Sequence, residues 1–287
     1  MTEAQLLFVQ EKSRTLRHHI VDMIGYGEGR VGHLGGSSSA AEIVATLYFY
    51  KMRYDAQNPG DRNRDRFVLS KGHAALVQYA ALAEAGFFPV EELLRVKNYN
   101  AMLQGHPDMR KTPGIEANTG SLGMGLSIGL GMALGLRLDG LSSNVFVLMG
   151  DGEQDEGQIW EAAMCAAYYR AGNLIAVIDH NKIQATGFLK DRLGVGSLYQ
   201  KWSAFGWEVM TADGHNVREI AACLDSADSL KDRPVVIIAD TVKGKYITFA
   251  ENTAAFHNAG LTEEQFKRAH NDISAYGSIP GCKSCQT

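Results

Sequence analysis

A chain of 287 residues, 45% of them hydrophobic and 21% charged, has enough apolar material for one large α/β domain or two small ones. Its formal net charge is −4, and its lysines and arginines are scattered, so no basic patch points to nucleic acid. Residues 2–24 are interrupted by Glu3, Glu11, Lys12, Arg14, Arg17 and Asp22 and do not read as a secretory signal, and no apolar stretch reaches the length of a membrane span. The four cysteines, Cys165, Cys223, Cys282 and Cys285, are too sparse for a disulfide scaffold and fit a cytoplasmic protein.

Along the chain, 3–24 and 39–52 read as amphipathic helices. An apolar run at 66–70 reads as a short strand and 74–85 as a helix. Residues 121–139 are rich in Gly, Leu, Met and Ala and almost uncharged, which predicts a helix buried on most sides. Glycines at 123, 125, 129, 131 and 135 would weaken an exposed helix, so they are expected to serve close packing or close approach to a ligand. A strand–helix alternation follows: strand 145–149, helix 155–171, strand 174–178, strand 206–211, helix 217–230 and strand 235–239. That order predicts an α/β fold, a doubly wound and mostly parallel sheet flanked by helices. Ligands of such sheets bind beyond the carboxyl ends of the strands, here just after Met149, Ile178 and Ala239.

Polar residues gather at the first two of these places, Gly150-Asp151-Gly152-Glu153 and Asp179-His180-Asn181-Lys182-Ile183. Asp151 and Asn181 are 30 residues apart, about the length of one βαβ crossover, so their loops can meet at neighbouring strand ends. A carboxylate and an amide oxygen are hard ligands suited to Mg²⁺ or Ca²⁺. Gly150 and Gly152 let the backbone approach a phosphate near a helix start. Gly-Asp-Gly alone is as readily a turn with a capping Asp. The second loop at this spacing favours a metal-bridged diphosphate.

These residues resemble the signature of thiamine-diphosphate enzymes, and the surrounding text is similar to transketolases. Gly150 to Gly157, Trp160-Glu161-Ala162 and Asp179 to Ile183 match that family's metal segment. Gly32-His33, Ser70-Lys71-Gly72-His73, Gly105-His106-Pro107 and Thr119 to Gly125 match in order, and His257 falls where the family places its last cofactor-side histidine. The resemblance covers residues from about 10 to 260 and implies the thiamine-diphosphate-binding fold over 1–275, with 276–287 a tail. It implies that Asp151, Asn181 and the Ile183 carbonyl bind Mg²⁺ (or Ca²⁺ or Mn²⁺). Gly152 and His73 would hold the diphosphate of thiamine diphosphate, and Gly120 and Leu122 would touch its rings. Glu156 matches a carboxylate in a hydrogen-bond network joining two cofactor sites. His33, His106 and His257 would line the substrate channel, where imidazoles donate to developing oxyanions and shuttle protons.

The family activates its cofactor with a glutamate on a second α/β unit, and no such unit follows here. The resemblance therefore implies a split transketolase acting on sugar phosphates, with a second chain supplying that glutamate in an α2β2 assembly. Two other readings stay open: another thiamine enzyme, such as a deoxyxylulose-phosphate-synthase-like fragment or a 2-oxoacid dehydrogenase alpha chain, and a non-catalytic cofactor-binding chain. Gly105-His106-Pro107 and His257 favour transketolase. The text after His33, Leu34-Gly35-Gly36-Ser37-Ser38-Ser39, looks more like split transketolases than single-chain ones and leaves the donor sugar open.

The remaining candidates have plainer readings. His18 and His19 are expected to pack on a helix, His215 to sit in a turn and His270 to be solvated. His180 lies beside a metal-site residue without a direct role, and Lys243, after the strand ending near Ala239, could reach a phosphate but reads first as a surface lysine. Cys282 and Cys285 have redox or zinc spacing but supply two of four zinc ligands, so a tail with two ordinary thiols is expected.

Overall fold

The structure, a computed structural model, describes residues 1–194 and 196–276. Of the expected tail, Tyr276 still belongs to a helix, and the rest, with Cys282 and Cys285, lies outside these residues. Helix α1 (Glu3–Ile24) begins at a capping box, with Gln5 N–H bound by the Thr2 hydroxyl and the Gln5 side chain returning to Thr2 N–H. Two short helices, α2 (Leu34–Ser38) and α3 (Ala41–Thr46), precede a π-helical turn at Leu47–Lys51. The single amphipathic helix expected at 39–52 is therefore broken, and residues 34–48 are buried throughout. Their small side chains (Gly, Ser, Ala) let this segment pass under α1 and α4 (Ala75–Glu84) with no solvent face to mark it.

Strands β1 (Arg66–Leu69), β2 (Val145–Gly150), β3 (Leu174–His180), β6 (Glu208–Asp213) and β7 (Val235–Asp240) form one parallel sheet in the order β1-β2-β3-β7-β6. A two-stranded ribbon, β4 (Ile183–Gln184) with β5 (Gly187–Phe188), projects after β3. The run Val-Phe-Val-Leu-Met of β2 is wholly buried, as a strand covered on both faces must be. Alternate residues divide between two cores. Phe67, Phe146, Leu148, Ile175, Val177 and Ile237 pack with α1, α3, α4, α8 (Val217–Ser229) and α9 (Glu263–Tyr276). Val68, Val147, Met149, Ala176, Ile178 and Val236 pack with α5 (Met124–Leu138), α6 (Gly157–Tyr168) and α7 (Leu198–Ala204). Each buried Val, Leu, Ile or Phe contributes about 1.5–3 kcal/mol, and this supply on both faces fixes the three-layer stack.

The helix expected at 121–139 departs from its reading. Only Gly125, Leu126, Gly129, Leu130, Ala133 and Leu136 of α5 are buried, and Met124 and Leu138 are exposed. Gly125 lies against Ser70 and Gly129 against Val147, so close that an added methyl carbon would come within 2.3 and 2.5 Å of them. Gly131 and Gly135 face open space. Among the described residues no helix is long and apolar enough to cross a membrane.

Candidate active site

Parallel pairing sets Gly150 beside Asp179, Asp179 beside Ala239 and His180 beside Asp240. The carboxyl ends of β2, β3 and β7 therefore deliver their following residues to one edge of the sheet, next to the turn after β1. A cavity of about 310 Å³ opens there, lined by Lys71, His73, Asp151, Asn181, Ile183 and Lys243 among others. Gly36, Leu122, Gly152, Glu156 and His257 also face it.

Asp151 is 3% exposed. Its carboxylate accepts from Gly152 N–H at 2.7 Å and from Lys182 N–H. Burial, then the charge of Asp179, pushes this carboxyl up to about 7 against those hydrogen bonds. Lys182 has φ +68, a left-handed conformation, and donates its N–H to Asp151. The Asn181 amide donates to Asp179 at 3.0 Å, which fixes its orientation, and its oxygen accepts from Ile183 N–H at 3.2 Å.

Asp179 is the buried hub of the site. Lys71, Thr241 and Ser39 (2.7 Å) all donate to its carboxylate. Burial alone would raise its carboxyl; the Lys71 ammonium and these hydrogen bonds prevail and hold it at about 2. Lys71 also donates to the Gly36 carbonyl at 2.8 Å. Glu153, equally hidden, accepts from Ser70, from Gly123 N–H at 2.9 Å and from Gly150 N–H at 3.0 Å, and so ties the glycine loop after residue 119 to the strand ends.

Four histidines from distant parts of the chain converge beside this edge. The His33 ring lies 5.2 Å from His73, 5.3 Å from His257 and 6.4 Å from His106, and His73 is 5.1 Å from His257. Burial, reinforced by Lys97 at His33, Lys71 at His73 and Lys243 at His257, lowers them to about 4, 2 and 3 respectively. His106, also lowered, is held by Gly120, where a Cβ would come within 2.8 Å of its ring at φ +149. Gly72 presses as closely on the backbone of Thr119 and Gly120. These imidazoles are neutral at neutral pH, each with one N–H donor and one acceptor.

The residues matched from sequence thus come together: Asp151, Asn181, Ile183, Gly152, His73, Leu122, Glu156 and His257 around one cavity, with His33, His106 and Gly120 alongside. Lys243 overturns its reading as a surface residue. It is 2% exposed, donates to the Ile183 carbonyl at 2.7 Å and lies 2.9 Å from His257 Nδ1. Burial, then the charge of Lys71, lowers it to about 8. Asp179, Ser39, Thr241 and Glu153 carried no role in the sequence reading. The signal for Asp179 was its place at the end of an otherwise apolar strand, where a carboxylate needs buried partners. His270 is half-buried rather than freely solvated: its ring stacks on His18, with centroids 5.0 Å apart, and its Nε2 is 3.1 Å from Asp22. His215 bridges Glu42 at 3.0 Å and Val242 N–H at 2.9 Å.

The residues present suit a metal-bridged diphosphate. A buried carboxylate, an oriented amide oxygen and a backbone carbonyl are hard oxygen donors of the kind Mg²⁺ takes alongside phosphate oxygens. The cradle is closed to larger residues, since a Cβ at Gly152 would meet the Gln184 side chain at 2.7 Å. Two buried lysines supply positive charge. Among the described residues no group of three His, Cys, Asp or Glu side chains is placed to hold a metal.

Comparison with known proteins agrees with this chemistry. The family model for the thiamine diphosphate binding domain of transketolase matches residues 9–278. The 6-deoxy-6-sulfo-D-fructose transketolase subunit SqwG from Clostridium sp. (strain MSTE9) is 44% identical over 97% of this chain and 100% of its own length. An apulose-4-phosphate transketolase subunit from Phocaeicola vulgatus is 37% identical over 94% of this chain and 95% of its own. The solved structure of Pichia stipitis transketolase in complex with sedoheptulose 7-phosphate superposes with a TM-score of 0.87 at 29% identity, over 93% of this chain and 40% of that one. Campylobacter jejuni transketolase superposes at 0.86, with 29% identity, over 96% of this chain and 43% of its own. The chain thus spans about 40% of the length of these solved transketolases, and it belongs to the transketolase family as a thiamine-diphosphate-binding domain.

Proposed function

We propose that this chain, a single domain over residues 1–275, is the cofactor- and metal-binding subunit of a split transketolase. It would transfer a two-carbon ketol unit from a ketose to an aldose. The observation that carries this reading is the convergence of Asp151, Asn181 and the Ile183 carbonyl on the cavity that also receives His73 and His257. Bound thiamine diphosphate supplies the nucleophilic carbon and the electron sink for breaking and remaking the ketose carbon–carbon bond.

The chain's own residues have the following work. Asp151, Asn181 and the Ile183 carbonyl hold Mg²⁺, and Asp179 fixes the Asn181 amide by accepting from its N–H, leaving the amide oxygen as the ligand atom. Gly152 and His73 hold the diphosphate. Gly120 and Leu122 contact the cofactor rings. His33, His106 and His257 line the sugar channel as neutral imidazoles, donating hydrogen bonds to substrate oxygens and moving protons between them. Glu156, exposed at the start of α6, is free to join a hydrogen-bond network across to a second cofactor site.

A partner chain completes the site and supplies the activating glutamate, and two copies of each chain form an α2β2 assembly in the cytoplasm. Two similar proteins of matching extent are named as transketolase subunits, which supports this division. So does the surface: Met124, Leu138, Met164, Tyr168 and Tyr169, along α5, α6 and the turn after it, are large apolar side chains exposed to solvent. A covered apolar face explains why α5 is so poor in charge. The donor is a ketose with an anionic end group, by analogy with the sulfonated and phosphorylated sugars named for the relatives. Mixing the chain with its partner and assaying ketose phosphates and sulfonated ketoses against pyruvate tests the proposal. Ketol transfer that needs both chains is expected; pyruvate turnover, or full activity of either chain alone, contradicts it.

A further inference from the structure

The lining of the cavity holds more carboxyl groups than ammonium groups. Asp151, Glu153, Asp155 and Glu156 face it against Lys71 and Lys243, four acidic residues to two lysines. An anion is favoured there only if those acidic groups are otherwise engaged. Three of the four are. Asp151 belongs to the proposed cation, Glu153 accepts from Ser70, Gly123 N–H and Gly150 N–H, and Glu156 is exposed to solvent. The fourth, Asp155, ends the 3₁₀ turn Gly152–Asp155, which begins at the glycine assigned to the diphosphate. Its Oδ1 is buried without a hydrogen-bond partner. Among the described residues the one side-chain donor to its Oδ2 is the Gln184 amide, at 2.7 Å.

Gln184 reaches that carboxylate from the other loop. It is the second residue of β4, next to the Ile183 carbonyl. Its stem covers Gly152, where a Cβ would lie 2.7 Å from the Gln184 Cγ and 3.2 Å from its Nε2. The same amide nitrogen therefore lies against the diphosphate turn while it donates to the carboxylate. We propose that Gln184 is a positioning residue for diphosphate binding: it tethers the Asp155 carboxylate and keeps that negative charge from turning towards the bound anion. The proposal rests on the diphosphate reading above. Without Gln184 the Asp155 side chain has no donor at all, and a half-buried carboxylate in that state is relieved by turning to the water of the cavity, the space the diphosphate occupies. Harm that comes from a freed charge differs from harm that comes from lost packing, because removing the charge repairs the first and not the second.

The test is binding of inorganic pyrophosphate with Mn²⁺ to the full chain by calorimetry, in wild type, Gln184→Leu, Asp155→Asn and the double variant, with denaturant unfolding to confirm that each is folded. Gln184→Leu is expected to weaken pyrophosphate about tenfold, the scale of one buried polar group left unpaired. Asp155→Asn alone should bind at least as tightly as wild type. In the double variant it should restore the affinity to within about threefold of wild type, a strong departure from additivity. Gln184→Ala replaces the leucine variant if that one does not fold. Wild-type affinity in the Gln184 variant, or a double variant as weak as Gln184→Leu, overturns the inference. A large loss on Asp151→Asn beside no loss on Gln184→Leu removes this inference alone and leaves the metal-site reading standing. Absence of pyrophosphate binding in wild type and variants alike removes both.

Discussion

Asp151 and Asp179 are buried side by side yet pushed in opposite directions, because only Asp179 has an ammonium in contact. In the proposed function a divalent cation would supply what Asp151 lacks. Asp151→Asn is therefore expected to weaken binding of thiamine diphosphate with Mg²⁺ by on the order of 100-fold, read by calorimetric titration. Away from the cavity, Arg17 and Glu42 form a pair at 2.5 Å, 1% and 3% exposed, with His215 as third member. Glu42→Ala leaves Arg17 buried and unpaired, so a loss of about 3–5 kcal/mol in denaturant unfolding is expected. The histidine cluster sets a pH dependence. His73 titrates at about 2 when folded, below its usual 6.5, so at acid pH the unfolded chain takes up a proton that the folded chain refuses. Its contribution to stability is complete above pH 6.5 and is lost as pH falls towards 2. Stability of the ligand-free chain should decline on acidification below 6.5, and less steeply in His73→Gln. At this scale the sequence was legible where residue type and chemistry coincide, as at Asp151 and Asn181. It was not at Lys243, because a lysine after a strand looks alike whether its stem turns outward or runs inward along the sheet edge.

Helix α5 shows what glycines can mean within one element. Gly125 and Gly129 face the sheet, and Ala at either site would push a methyl into Ser70 or Val147. Each is expected to lose about 1–3 kcal/mol. Gly135→Ala, in open space, should gain about 0.5–1 kcal/mol in the isolated chain. Opposite signs in denaturant unfolding check this; equal effects would contradict the packing. The sequence foretold a ligand or packing role for these glycines but not that only half the helix is buried within this chain. Apolar periodicity cannot tell a face buried by its own chain from one open to another. Strands β2, β3 and β7 were read within one or two residues because short continuous apolar runs bounded by polar residues read as buried parallel strands. The segment 34–51 was not, because Gly, Ser and Ala buried on every side leave no amphipathic period to count.

For the whole molecule, the doubly wound sheet explains why residues far apart in sequence share one cavity: parallel strands all end at the same edge, and the loops there are free to carry chemistry. Strand order was beyond the sequence, since pairing depends on how helices on both faces pack. The central claim, that the loops after β2 and β3 grip one divalent cation and a diphosphate, is tested most directly by a crystal structure of the chain with thiamine diphosphate and Mn²⁺. The account predicts a single anomalous peak bound by the Asp151 carboxylate, the Asn181 amide oxygen, the Ile183 carbonyl and diphosphate oxygens. A bound cofactor whose cation sits elsewhere, or with Asp151 and Asn181 both outside its coordination sphere, would contradict it.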